Sequence, residues 1–259
     1  HPPLSTWLQG LLSGFISSKQ IQIRIVPIIT FIVILLLILH WMKLIGKDNS
    51  SQKLKNIVLF VSVPLYSIFL TVSFPDHLLI LLIFLSGLYF YKFIDAYQQE
   101  RQNYICWYLS VLAFSFACLA KYNAIFFGLS VFIFLIIKRD FRKILLSRHF
   151  FIALFIFFLV QSPVIFWNIQ NDYASFNFNL NSRLDFSNSW GFFLKNLITF
   201  IFAVMFAISP LLFFKILSIK KIEAFKIANK DFIDFCYVVF FVTFGFCFIL
   251  SAYTAVLYY

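Results

Sequence analysis

Residues 25–42, IVPIITFIVILLLILHWM, contain no Asp, Glu, Lys or Arg, and runs of this kind recur almost to the end of the chain. A hydrocarbon core about 30 Å thick takes about 20 mostly apolar residues of helix to cross. Eight segments meet or approach that length: 25–42, 56–73, 78–94, 105–120, 122–137, 150–167, 192–214 and 235–256. The chain as a whole is 62% hydrophobic and only 12% charged, far from the soluble balance of about half apolar and about a quarter charged. The fold class that follows is all-α: a polytopic membrane helical bundle, read as one domain over residues 1–259. Because Phe, Ile, Asn and Lys are common throughout, an aromatic stripe alone carries little functional information here.

Lys121 tests the segmentation. It is the only charged residue between Ile105 and Ile137. One continuous helix over that stretch would be about 50 Å long at about 1.5 Å per residue, about 20 Å more than the membrane accommodates. The expected solution is two short spans joined by a tight turn at Lys121-Tyr122-Asn123, which puts Lys121 at a membrane face.

Loop charges then orient the bundle. With eight spans, sixteen of the 21 Lys and Arg fall in loops on one side and five on the other. Basic loops mark the cytoplasmic side. The net charge of +11 is thus a topology signal. It does not imply nucleic-acid binding, because the basic residues are spread over four loops and build no single face. The other, extracytoplasmic side holds His1 to Arg24, the Ser73–His77 turn, the Lys121 turn and a long loop from about Asn168 to Asn196.

Several chemistries leave no trace. There is no Gly-rich phosphate loop, Ser-His-Asp pattern or dinucleotide fingerprint. Cys106, Cys118, Cys236 and Cys247 lie in or beside spans without metal spacing, and read as small apolar residues. His40 and His149 fall near the cytoplasmic ends of spans and read as interfacial packing. The chain begins at His1 without a start Met or signal peptide and reads as a piece of a longer protein.

Three stretches on the outer side carry candidates. HPPLSTWLQGLLSGFI places Leu4, Trp7, Leu8, Leu11, Leu12, Phe15 and Ile16 at helical spacing. This describes an amphipathic helix lying in the interface, or a plain connector. SFPDHLL sets Asp76 and His77 at the lip of the third span, where Asp76 is either a helix N-cap or a functional carboxylate. SPVIFWNIQNDYASFNFNLNSR carries Asn168, Asp172, Tyr173 and Arg183 in a loop longer than most connections. Its amides and rings suit a sugar or polar headgroup; a solvated loop is the plain alternative.

HPPL with its interfacial helix, then PDHLLILLIFLSGLYFY, then LAFSFACLAKYNAIFFG, then PVIFWNIQNDYASFNF occur in order over residues 1 to about 178. This ordered set resembles the bacterial branch of the dolichyl-phosphate-mannose protein mannosyltransferase family. It is similar also to the aminoarabinose transferases of lipid A; both are glycosyltransferases of the GT-C type. The resemblance implies a polyprenyl-phosphate sugar donor, an inverting transfer to a hydroxyl acceptor and an active face outside the cytoplasm, here of a bacterial inner membrane. It further implies a general-base Asp in an acidic motif upstream of the HPPL stretch, before His1, so that the chain covers about half of a typical member.

On that basis Asp76 is the catalytic candidate within the chain. His1, Lys121, Tyr122, Asn168, Asp172, Tyr173 and Arg183 are the substrate-binding candidates. No cofactor and no metal ligand is assigned, although Asp76, His77 and His1 suggest a possible divalent cation. Lys121 is read as a cation facing the donor phosphate, or else as a snorkelling lysine at a helix end; either way it is treated as interfacial, with little bearing on stability. The partners are the lipid-linked donor and membrane lipids. Two other readings stay open: a transporter or flippase of lipid-linked sugars, which the span-interrupting Pro27, Pro64, Pro163 and Pro210 leave possible, and an inactive product of a split gene.

Overall fold

The computed structural model of the protein describes residues 3–44, 50–63, 75–101, 103–178, 190–208 and 230–253. Every regular element among them is helical. In chain order they are α1 (Leu4–Ser13), α2 (Lys19–Leu44), α3 (Ser50–Ser62), α4 (Asp76–Gln98), α5 (Tyr104–Ala120), α6 (Ile125–Ile137), α7 (Arg142–Leu145), α8 (Arg148–Gln170), α9 (Ala174–Asn177), α10 (Trp190–Ile208) and α11 (Lys230–Tyr253). The chain is a polytopic membrane bundle. Among the described residues α2, α4, α8 and α11 are each long and apolar enough to cross a bilayer, whereas α5, α6 and α10 are shorter.

The helices track the apolar runs and overshoot them. α2 begins at Lys19 and α11 at Lys230, several residues ahead of the expected starts at 25 and 235. A count of apolar residues locates the hydrocarbon region, while the backbone hydrogen-bond ladder continues through polar residues into the interface. The spans read at 56–73, 192–214 and 235–256 are described only as far as Val63, Ile208 and Tyr253; their remainders lie outside the described residues.

The break at Lys121 forms where the length argument puts it. α5 ends at Ala120, and Lys121 is extended at φ −155°, ψ 134°. A single 3₁₀ turn, Tyr122–Ala124, then leads into α6. α1 packs against α2 and α5. Leu8 and Leu12 are half-buried there while Trp7, Leu11 and Phe15 stay exposed, as expected of a helix lying between protein and lipid.

Lipid tails are as apolar as Leu, so helices in a membrane associate through close packing and interhelical hydrogen bonds. α4 and α5 form the most extensive pair, and both mechanisms operate there. Ser86 Oγ donates to the Ser110 carbonyl at 2.8 Å and Ser110 Oγ donates to the Ser86 carbonyl at 2.9 Å. Small side chains let the two backbones come that close. Gly128 serves the same purpose on α6: a Cβ there would lie 2.3 Å from the ring of Phe114 on α5.

At the end of the bundle opposite Lys121, Phe90, Phe93, Trp107, Phe134, Phe141 and Phe235 form a buried aromatic core. Nearby, Lys138 Nζ donates to Asp231 Oδ1 and to Asp234 Oδ2, both at 2.5 Å, and so ties the end of α6 to the start of α11. Gln98 at the end of α4 donates to the same Asp231. Burial alone would lower the Lys138 pKa, but hydrogen bonds to the two aspartates and their charges outweigh it and hold it above the ordinary lysine value. A raised lysine pKa contributes stability below its unfolded value and loses it as pH rises through the folded one. This tie should therefore persist at neutral pH and weaken only above the ordinary value of 10.5. Lys138→Met leaves two carboxylates facing each other. With solvent reaching all three groups, the expected loss is about 1 kcal/mol. It should appear as a lower melting temperature that added salt partly restores; a melting curve identical to the parent's at low salt would refute the tie. His149 belongs to this end too, stacked on Tyr104 with ring centroids 3.6 Å apart and with Nδ1 2.6 Å from Tyr108 Oη, the packing role read from its position.

Candidate active site

The end of the bundle that carries Lys121 gathers residues from α1, α2, α4, the 3₁₀ turn, α8 and α9. Pro75 occupies the N-cap position of α4 and provides no side-chain cap. Asp76 follows it in the first turn, and its carboxylate does not cap the helix. It accepts instead from Lys121: Nζ lies 2.6 Å from Asp76 Oδ1, with the two side chains 25% and 12% exposed. The N-cap alternative for Asp76 is thereby set aside. The expectation that Lys121 has little bearing on stability is revised, because the ammonium is held by a mostly buried carboxylate. A charge-assisted hydrogen bond of this kind is about twice as strong as a neutral one.

The turn geometry explains the aim. With α5 ended at Ala120, the Lys121 amide still donates to the Ala117 carbonyl at 2.9 Å, and its own carbonyl accepts from Ala124 N at 3.1 Å. The backbone at Lys121 is pinned from both sides. One of the three ammonium hydrogens is committed to Asp76.

His77, the next residue along, turns elsewhere. It is 1% exposed, and its Nδ1 lies 3.0 Å from Thr30 Oγ1 on α2. Successive helix residues point about 100° apart, so Asp76 and His77 serve different neighbours: one holds the α5–α6 turn, the other holds α2. Thr30 hydroxyl also lies 2.9 Å from the carbonyls of Val26 and Pro27. Among the described residues no three His, Cys, Asp or Glu side chains come together as a metal site would require.

Asn168 organises the segment after α8. It is 1% exposed. Its Nδ2 donates to the Val164 carbonyl at 2.9 Å and its Oδ1 accepts from Ser175 N at 3.2 Å. Its carbonyl accepts from Tyr173 N at 2.8 Å. These bonds fold the chain back through Asp172 and Tyr173, both left-handed at φ 49° and 56°. For a residue with a Cβ this is a conformation that persists only where its surroundings enforce it. Both side chains are exposed. His1 and Arg183 lie outside the described residues.

Between α1, the 3₁₀ turn and the outer end of α8 is a cavity of about 400 Å³ whose lining includes Pro3, Trp7, Tyr122, Trp167, Asn168 and Ser175. The structure thus brings Tyr122 and Asn168 to one cavity and Asp76 to Lys121. The two sites adjoin through consecutive residues, Lys121 and Tyr122. Trp7 and Trp167 were not singled out as binding residues from sequence. Each sits in an apolar stretch where a Trp equally fits the aromatic belt of a membrane interface.

A helical membrane bundle with a charged pair and a polar-aromatic cavity at one end describes an integral membrane protein. The chain belongs to the dolichyl-phosphate-mannose-protein mannosyltransferase family, whose model matches residues 1–167. The matched part contains α1, Asp76, Lys121 and Trp167, and it makes the protein a glycosyltransferase of the mannosyltransferase type. No curated protein and no solved structure matches the chain.

Proposed function

We propose that the protein transfers a sugar from a polyprenyl-phosphate donor to a hydroxyl acceptor on the extracytoplasmic face of a bacterial cell membrane, with inversion at the sugar carbon. The observation that carries this reading is the pinned, carboxylate-held Lys121 at the lip of a bundle belonging to this family. The acceptor oxygen attacks the anomeric carbon. The bond from that carbon to the phosphate oxygen breaks, and the polyprenyl phosphate leaves with the electron pair. The acceptor proton passes to a carboxylate.

Negative charge grows on the departing phosphate, and the remaining Lys121 N–H groups meet it. A fixed donor aimed at developing charge in a dry site is among the largest single contributions to catalysis. Asp76 acts in this scheme as a positioning residue. Lys121 engages Oδ1 alone, so Oδ2 keeps acceptor capacity; the role assigned to Asp76 here is to hold Lys121 in place. Asn168, Asp172 and Tyr173 hold the outer segment over the sugar or headgroup; Arg183 and His1 are assigned to the substrate by the same reading.

Sidedness is testable by itself. Single cysteines at Asn171 and Ser51, in a background without the native four, should react oppositely with an impermeant thiol reagent in intact cells. Asn171→Cys is expected to label and Ser51→Cys to stay protected; the reverse pattern would overturn the extracytoplasmic assignment. Asn181 and Ser218, which the charge pattern places on the outer and inner sides, lie outside the described residues. Transfer of labelled sugar from a polyprenyl-phosphate donor by the full-length protein in proteoliposomes separates an enzyme from a flippase, which would move the donor across the bilayer without forming product.

A further inference from the structure

We infer that the cavity between α1, the 3₁₀ turn and α8 seats the ring of a sugar, held by stacking on Trp167 and Trp7, while the phosphate end of the donor is left to Lys121; this rests on the transferase reading above. Trp7 is 44% and Trp167 50% exposed, and both line the same concave space from different helices. Tyr122 reaches that space from a third element. Indoles serving only as membrane anchors would face outward from their own helices. Here three aromatic side chains from three elements converge instead.

A cavity of about 400 Å³ with aromatic walls and a few polar groups has the make-up of a small-molecule site. The ligand class follows from the walls. A pyranose has one face of C–H groups and a rim of hydroxyls. The C–H face packs on an aromatic ring, and the hydroxyls suit polar neighbours such as those around Ser175. Among the described residues that line the cavity the side chains are aromatic, apolar or uncharged polar, which suits a sugar ring. The Asn168 amide bonds Val164 through one N–H and Ser175 through Oδ1. Its role is therefore to keep Trp167 and the α9 turn in fixed relation, and the rings face a preformed space. The ring seated there belongs to the donor or to a glycan acceptor, two sources that share this chemistry.

The test uses the full-length protein in lipid nanodiscs and two probes: a short-chain polyprenyl phosphate bearing mannose, and the same polyprenyl phosphate without sugar. The parent should bind the mannose-bearing probe about tenfold more tightly, the size expected of aromatic stacking. Trp167→Ala should bring the two dissociation constants to within about threefold by weakening the mannose-bearing probe alone, and Trp167→Phe should keep most of the gap. Lys121→Ala should weaken both probes, the bare phosphate the more because it carries the greater negative charge. A KM measurement with a glycan acceptor forms the second arm. If Trp167→Ala raises that KM and leaves the donor gap intact, the cavity holds the acceptor's sugar. The proposal is overturned if Trp167→Ala weakens both probes equally, as an interfacial anchor would, or changes neither the gap nor the acceptor KM. Failure of the Lys121 reading looks different: unchanged binding of the bare polyprenyl phosphate by Lys121→Ala, with the Trp167 gap still measurable.

Discussion

Lys121→Ala is expected to lower sugar transfer by the full-length protein about a hundredfold, the equivalent of about 3 kcal/mol for a preorganised donor facing developing charge. The same change strips Asp76, itself 9% exposed, of its hydrogen-bonded cation. An unpaired polar group at that depth costs about 1–3 kcal/mol, so the melting temperature should fall as well. Activity and stability therefore have to be separated. Lys121→Arg keeps the charge while replacing a compact ammonium with a planar fork, and should retain part of the rate. Asp76→Asn keeps an acceptor for Lys121 without the opposing charge, and should lose less activity than Lys121→Ala.

The decisive variant combines Asp76→Leu with Lys121→Met. Replacing both members of a buried pair by apolar residues of similar size is often neutral or stabilising. Stability should return toward the parent while transfer stays low. If the double variant transfers sugar at the parental rate, the pair is a structural clasp and the phosphate role is wrong. Rates, expression and melting temperature have to be recorded on the same preparations.

Phe235→Ala should produce the largest loss of stability, about 3–5 kcal/mol for removing a fully buried Phe. Phe235 is 2% exposed on α11. Its ring lies 4.5 Å from that of Phe90 on α4 and 5.5 Å from that of Phe134 on α6, centroid to centroid. It fastens a helix outside the family match to the core of the matched part. Phe235→Leu should cost considerably less, because much of the volume is kept. Thermal unfolding in detergent micelles measures both; a Phe235→Ala protein melting with the parent would show that α11 contributes little to holding the bundle. Because Phe235 contributes no group to the Asp76–Lys121 pair or to the cavity lining, folded Phe235→Leu should transfer sugar at close to the parental rate.

The positions of the helices were legible in the amino-acid sequence because crossing a bilayer is a local requirement. A run of apolar residues long enough to span must be helical, whatever packs on it. The break at Lys121 belongs to the same class: an overlong helix and a single charge decide it between them. The alternation of basic loops placed the Lys121 turn, α1 and the start of α4 at one end, and the structure assembles them there. Family motifs pointed to Asp76 and Lys121 separately.

Their pairing was beyond reach. The two residues are 45 positions apart, and Lys138 and Asp231 are 93 apart. Which face each helix turns to its neighbour depends on rotation about its axis, and in a chain apolar on nearly every face no stripe fixes that rotation. The adjacent residues Asp76 and His77 show the consequence, since one reaches Lys121 and the other Thr30. The cavity shared by Trp7, Tyr122 and Trp167 has the same origin: three aromatics that each pass for membrane anchors become one site only because packing turns them toward a common space.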